Sequence, residues 1–325
     1  MIHSLDTLAP RQRALVEAWL PAVEVEADMS WRLVETTVLR ARVGEQVVVI
    51  KAGGASDHHI AREIRAHREW TGPWVQHGRA ARMLYADVDA KILVTAYVPG
   101  TLVQGTTAAA EMDIYVQAGE LLREFHAQAA IEDPDYETRM NAKALAWLDG
   151  PHRIAPDVVE VLRAFIRSWP RLTVTCVPTH GDWQGRNWLL DNGVLRVIDL
   201  GRAGLRPAAE DLERLAVQEF VWHPGAEEAF LSGYGADPRE PDLWVRQRAR
   251  AAIGTACWAH QIGNQDFEAQ GHRMIADVLT QAALAGAAAV RGRPSPMVVC
   301  GGEHRSLDVV PSKALAKLVG WLTKR

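Results

Sequence analysis

Thr179-His-Gly-Asp-Trp-Gln-Gly-Arg-Asn-Trp-Leu-Leu-Asp-Asn-Gly-Val-Leu-Arg-Val-Ile-Asp199 is the stretch that decides the fold. Its second half places two short apolar segments, Trp188 to Leu190 and Val194 to Ile198, around Asn192-Gly193. Asn-Gly is the strongest short-range hairpin signal, because both central residues of a type I′ turn take positive φ. Centring the turn there pairs Asp191 with Val194, Leu190 with Leu195, Leu189 with Arg196 and Trp188 with Val197. Asn187 and Asp199 then emerge at the same open end. Strict alternation puts their side chains on opposite faces, so the pairing is expected to loosen there and let them converge. Upstream, the β-branched run Leu172 to Val177 is expected to end at Pro178, and a polar loop leads on to Asn187.

An acid, an amide and a second acid around this turn suit chemistry on phosphate groups. Magnesium takes hard oxygen ligands, usually one or two protein groups plus substrate phosphates, so Asn187 and Asp199 are the candidate metal ligands. Asp182 lies on the same loop, where a carboxylate can orient a substrate hydroxyl and accept its proton. Arg186 either neutralises transferred phosphate or pairs with a nearby acid. His180 reads as a brace for the backbone.

The ordered set His180-Gly-Asp182-x4-Asn187, followed by Ile198-Asp199, resembles the catalytic core of the aminoglycoside phosphotransferase and choline kinase family, relatives of the protein kinases. Pro207-Ala-Ala-Glu-Asp211-Leu212 is similar to that family's Pro-x3-Asp-Leu and implies that Asp211 braces the loop from beneath. The resemblance implies an α+β, protein-kinase-like fold of two lobes, a small antiparallel-sheet N-lobe and a mainly helical C-lobe. It also implies Mg²⁺ as cofactor and ATP or GTP as co-substrate.

Outward from the loop, Trp31 to Val34, Val38 to Val43 and Gln46 to Lys51 read as an antiparallel meander with a Gly44-Glu45 turn. A lysine closing a buried strand otherwise only extends to water; the resemblance makes Lys51 the contact to the α- and β-phosphates. It likewise makes Glu63, on a helix expected over His58 to Trp70, the partner of Lys51, with Glu69 as the rival. No Gly-rich phosphate loop is present. The turn Glu35-Thr36-Thr37 stands in its place, with the hydroxyls and amides of Thr36 and Thr37 as candidates to cover the triphosphate. Lys91 to Gly100 is a strand ended by Pro-Gly and resembles the inter-lobe hinge, where the backbone of Ala96 and Val98 would meet the purine edge. The lobes are therefore drawn as residues 1–95 and 96–290, with 291–325 a linker and a terminal helix capped by Ser312.

With 325 residues, 48% hydrophobic and 23% charged, the chain has the make-up of a soluble globular protein. Its net charge of −4 supplies no basic field for nucleic acid or anionic lipid, and no window suits a membrane span. Cys176, Cys257 and Cys300 are scattered and without metal spacing, which suits the cytoplasm. The acidic segment Ile131 to Glu137 is either a solvated loop or a wall suited to a cationic acceptor. The helices from Leu215 to Leu284, with Trp222, Trp244 and Trp258, resemble the region that forms the acceptor cleft. These readings converge on a small-molecule O-phosphotransferase. An aminoglycoside or other antibiotic is the first acceptor class, with resistance as the outcome; choline, a sugar or an amino alcohol is the alternative. A nucleotide-binding pseudokinase acting on a partner through its tail is the non-enzymatic rival. Oligomeric state is not encoded in any pattern here.

Overall fold

The computed structural model describes residues 4–30 and 35–291. The strand expected over 31–34, the strand-like 297–300 and the helix from Ser312 lie outside the described residues. The chain divides into two compact units, Met1–Ile131 with Thr175–Pro238, and Glu132–Val174 with Arg239–Arg325. The expected hinge near residue 96 lies inside the first of these.

The first unit begins with a helix, Pro10–Trp19, followed by five strands: Glu24–Asp28, Thr37–Val43, Gln46–Ala52, Met83–Asp87 and Ile92–Ala96. In sheet order the last two exchange places, so that Ile92–Ala96 lies beside Gln46–Ala52, and every pairing is antiparallel. The meander expected from the sequence is present, but its first strand is Glu24–Asp28. That segment is acidic, lacks alternating large apolar residues and lies on the sheet edge, so it carries little strand signal.

Alternation along Gln46–Ala52 decides what each face of the sheet does. Val48, Ile50 and Ala52 bury against Leu8, Val16 and Leu20 of the N-terminal segment, each large aliphatic side chain contributing about 1.5–3 kcal/mol. Lys51 therefore points to the other face. There the helix His59–Glu69 sets Ile60 and Ile64 against Leu93 and brings Glu63 to the lysine. Asp57 accepts hydrogen bonds from the amides of His59 and Ile60, both at 2.9 Å, and so anchors the start of that helix.

The hairpin Trp188–Asp191 and Val194–Val197 has the register derived from Asn192-Gly193, pair for pair. A short strand, Thr101–Leu102, adds to its other edge. Pro178 does not end the preceding strand, which runs Val174–Thr179 and sets Pro178 opposite Leu205. Proline is tolerated in a strand where the ladder does not need its missing N–H. Beneath the loop, Trp74 stacks on Phe125 and Trp183, with Trp188 edge-on to Trp183. Trp183 is therefore core.

Two helices, Met112–His126 and Ala226–Tyr234, pack backbone to backbone. A Cβ at Gly119 would fall onto the Phe230 carbonyl oxygen, and one at Gly233 onto that of Val116. Gly119→Ala or Gly233→Ala is thus expected to force the helices apart and cost about 1–3 kcal/mol. An unchanged urea midpoint in either variant would refute this contact.

In the second unit, Leu148, Leu162, Ile166, Ile253 and Leu279 form the centre of a helical core. Two carboxylates of its acidic segment are already paired with arginines. Glu137 is buried between Arg246 at 3.3 Å and Arg250 at 2.8 Å, and Asp133 pairs with Arg139 at 2.6 Å. Among the described residues no helix is long and apolar enough to cross a membrane.

Candidate active site

Lys51 Nζ donates to Glu63 Oε1 at 2.7 Å and reaches Asp199 Oδ1 at 3.4 Å. Burial alone would lower the Lys51 pKa, but the charges of Glu63 and Asp199 outweigh it and raise it. The lysine is thus fixed as a cation. Glu69, the rival partner, is spent on Arg65 at 2.9 Å. The charge of Lys51, opposed by burial and helped by His180, holds the Asp199 carboxyl down at about 2.

Asp199 also departs from the strand's parity. The Ile198 amide donates to the Asn187 carbonyl at 3.0 Å, extending the ladder by one step, and Asp199 then takes a left-handed φ of 65°. This conformation is uncommon for a residue with a Cβ. It breaks the strand alternation at the residue where regular pairing fails to account for the direction of the side chain. Asn187 closes a 3₁₀ turn, Gly185–Asn187, and its Nδ2 donates to the Asp182 carbonyl at 2.7 Å and to Oδ2 at 3.1 Å. That commitment leaves the amide oxygen as the group Asn187 offers a cation.

Asp182 is 3% exposed, and its carboxylate is crowded with donors. Oδ1 receives a hydrogen bond from Gln184 Nε2 at 2.6 Å and lies 2.8 Å from Arg214 Nε in an ion pair. Oδ2 receives Arg186 at 2.5 Å besides Asn187. Of the two roles open to Arg186, the structure thus displays the pairing with an acid. Burial would raise the Asp182 carboxyl, but Arg214, Arg186 and Arg202 together hold it below the usual carboxylate range.

The loop is held from beneath by Asp211. Its Oδ2 accepts the His180 amide at 2.8 Å and its Oδ1 the Gly181 amide at 2.6 Å. Gly181 has φ 76°, and a Cβ there would meet the Arg202 carbonyl, so glycine is required between His180 and Asp182. His126 Nε2 lies 3.1 Å from Asp211 Oδ2, and its Nδ1 lies 2.8 Å from the Tyr234 hydroxyl. The carboxylate can only accept, so Nε2–H donates to Asp211, while the Tyr234 hydroxyl pairs with Nδ1. His180 Nε2 donates to the Ile198 carbonyl at 3.1 Å, which ties the loop to the hairpin as a brace.

The remaining candidates are less committed. Thr36 Oγ1 donates to Asp57 at 3.2 Å, and Thr37 is the first residue of its strand, opposite Ala52. The Ala96 amide is taken by the Arg82 carbonyl at 2.9 Å, which leaves the Ala96 carbonyl as its contact group, and Val98 follows in irregular chain. Sequence reasoning missed Arg214 and Gln184 as partners of Asp182. Arg214 lies three residues past Asp211, where no spacing rule marks it.

The phosphotransferase enzyme family model matches residues 58–252, more than half of the chain. No curated protein sequence matches. Among solved structures, the choline kinase LicA from Streptococcus pneumoniae superposes with a TM-score of 0.59 at 15% identity, over 82% of this chain and 97% of that one. The macrolide 2'-phosphotransferase MphH from Brachybacterium faecium gives 0.51 at 15%, over 81% and 95%. A thermostable mutant of aminoglycoside phosphotransferase APH(4)-Ia, in ternary complex with ADP and hygromycin B, gives 0.55 at 14%, over 83% and 98%. At such identities the superpositions establish the fold, the α+β, protein-kinase-like one expected from the sequence. The match over residues 58–252 spans the Glu63 helix, the Asp182 loop and the Asp211 brace, and the chain belongs to the phosphotransferase enzyme family.

Proposed function

We propose that the protein transfers the γ-phosphoryl group of ATP or GTP to a hydroxyl of a small molecule. The observation that carries this reading is a pair of polar clusters that meet one loop and hairpin: Lys51 and Glu63, from a strand and a helix, with Asp199, and Asp182 with Asn187. Lys51, kept positive, contacts the α- and β-phosphates. The hard oxygens of Asn187 and Asp199 suit magnesium, which when bound would neutralise charge across the phosphates. Asp182 orients the acceptor hydroxyl. The hydroxyl oxygen bonds to the γ-phosphorus, the bond from that phosphorus to the β–γ bridging oxygen breaks, the nucleoside diphosphate leaves, and the hydroxyl proton passes to Asp182.

The purine edge meets the Ala96 carbonyl and the Val98 backbone, with residues 1–95 as the nucleotide lobe and 96–290 as the catalytic and acceptor lobe. With the Thr36 hydroxyl pinned to Asp57, amides around Thr36 and Thr37 are left to cover the triphosphate. The relatives' acceptors point to a hydroxyl-bearing antibiotic or a metabolic alcohol. The intact lysine, acid and amide set weighs against a pseudokinase. We assign the protein to the cytoplasm, where the nucleotide is drawn and the buried thiols of Cys176 and Cys257 suit reducing conditions.

The test is acceptor-dependent ADP or GDP release by the purified protein with magnesium nucleotide, with the product identified by ³¹P NMR. Nucleotide binding without transfer to any acceptor would overturn the reading. Asp199→Ala is expected to weaken magnesium-dependent nucleotide binding about tenfold or more, equivalent to about 1.4 kcal/mol. Titration of a fluorescent ATP analogue with and without magnesium reads this, and an unaltered magnesium dependence would remove Asp199 from the role.

A further inference from the structure

Both oxygens of the Asp182 carboxylate are engaged: Oδ1 by a hydrogen bond from Gln184 and an ion pair with Arg214, Oδ2 by hydrogen bonds from Arg186 and Asn187. A carboxylate oxygen has two lone-pair directions, so Oδ2 is filled, and Oδ1 opens to an acceptor hydroxyl once the Arg214 guanidinium gives way. Gln184 and Asn187 are each 3% exposed, and Asn187 is also tied to the Asp182 carbonyl. The two donors able to move are the arginines, whose side chains keep 37% exposure at Arg186 and 32% at Arg214.

Drawing a guanidinium off a buried carboxylate is costly unless another anion receives it. A neutral acceptor supplies none, and a cationic one adds repulsion. The exposed Arg202 adds a third positive charge acting on both Asp182 and Arg214. Three guanidinium groups thus share the field of Asp182. The acids facing Arg214 besides Asp182 are Glu213 and Glu219, and one oxygen of Glu219 already accepts the Gly185 amide at 3.0 Å.

The two arginines are not equivalent. Arg186 donates a hydrogen bond to Oδ2, whereas Arg214 meets Oδ1 only as an ion pair. Arg214 has its charged neighbours on the Asp182 side: Asp182, Arg202, Arg186 and Glu213. We propose that the acceptor carries an anionic group, a carboxylate or a phosphate, beside the hydroxyl to be phosphorylated, and that Arg214 binds it, leaving Asp182 for the hydroxyl. This rests on the phosphotransfer reading and favours an acidic or already phosphorylated metabolite over a cationic drug or choline.

The test is kcat/KM with magnesium-ATP on acceptors matched by charge: glycerate and glycerol 3-phosphate, glycerol, and choline; glucose 6-phosphate, glucose and glucosamine; and hygromycin B. The anionic members are expected to be preferred, the carboxylate and phosphate arms telling which anion Arg214 takes. Arg214→Gln, checked for an unchanged thermal midpoint, should raise the KM for the preferred anionic acceptor about tenfold or more, the loss of one charge-assisted pair. The KM for ATP should hold, and Arg214→Lys should recover part of the loss. Preference for a neutral or cationic member overturns the inference while phosphotransfer stands, as does a rise in the KM for ATP in place of the acceptor. Absence of acceptor-dependent ADP formation across the whole panel overturns the phosphotransfer reading and this inference with it.

Discussion

Asp182→Asn is expected to lower kcat about 10²- to 10⁴-fold, the range a positioned general base contributes, and to leave nucleotide affinity nearly unchanged. The substitution keeps the side-chain shape but turns one acceptor oxygen into a donor. That donor faces the groups now paired with the carboxylate, Gln184 and Arg214 on one side and Arg186 and Asn187 on the other. The nucleotide side is a separate construction, because the 2.7 Å Lys51–Glu63 pair and the 3.4 Å Lys51–Asp199 contact do not involve Asp182. Single-turnover phosphorylation and analogue titration on the same preparation separate the two effects. Unchanged turnover would mean that another group orients the hydroxyl. The wild-type pH profile adds a second check. Burial works to raise the Asp182 carboxyl, but Arg214, Arg186 and Arg202 keep it below the usual range. The base form of the free enzyme therefore persists down through the ordinary carboxylate pKa of about 3.9, and no acid limb of kcat/KM from this group should appear above it.

How much of this site the sequence discloses depends on how local each cause is. The hairpin register was legible because Asn192 and Gly193, at φ 52° and 78°, supply the turn's two left-handed residues within the segment itself. Period-two alternation places Lys51 on the face opposite Val48 and Ile50, but its pairing with Glu63 needed the family resemblance. The left-handed Asp199 was sensed only as a parity conflict. Arg214 was missed because its contact with Asp182 is made by the fold, through a helix start that no spacing rule links to the loop. The acidic segment divides for a related reason. A carboxylate run reads as exposed, whereas arginines on a distant helix bury Glu137.

Asp211→Ala tests whether the loop's geometry depends on one buried carboxylate. Asp211 is 2% exposed and takes the amides of His180 and Gly181 together with the His126 imidazole. Its removal leaves three buried donors without an acceptor, and breaking a buried charged partnership of this kind typically costs about 3–5 kcal/mol. The effect reaches Asp182 because Gly181 directly precedes it, so kcat should fall even in the fraction that stays folded, with the KM for ATP held by the Lys51 cluster. Urea unfolding reads the stability loss, and its pH dependence identifies the cause. Burial alone would raise the Asp211 carboxyl; the hydrogen bond and charge of His126, the charge of His180 and the Gly181 amide outweigh it and lower it. A group with a depressed folded pKa contributes stability that is fully present above its unfolded value of about 3.9 and is lost as pH falls through the folded value. The gap between wild type and Asp211→Ala should therefore be constant from neutral pH down to about pH 5 and should narrow only below about pH 4. A gap that does not narrow in acid would mean that Asp211 fills space there and that its charge does not hold the loop.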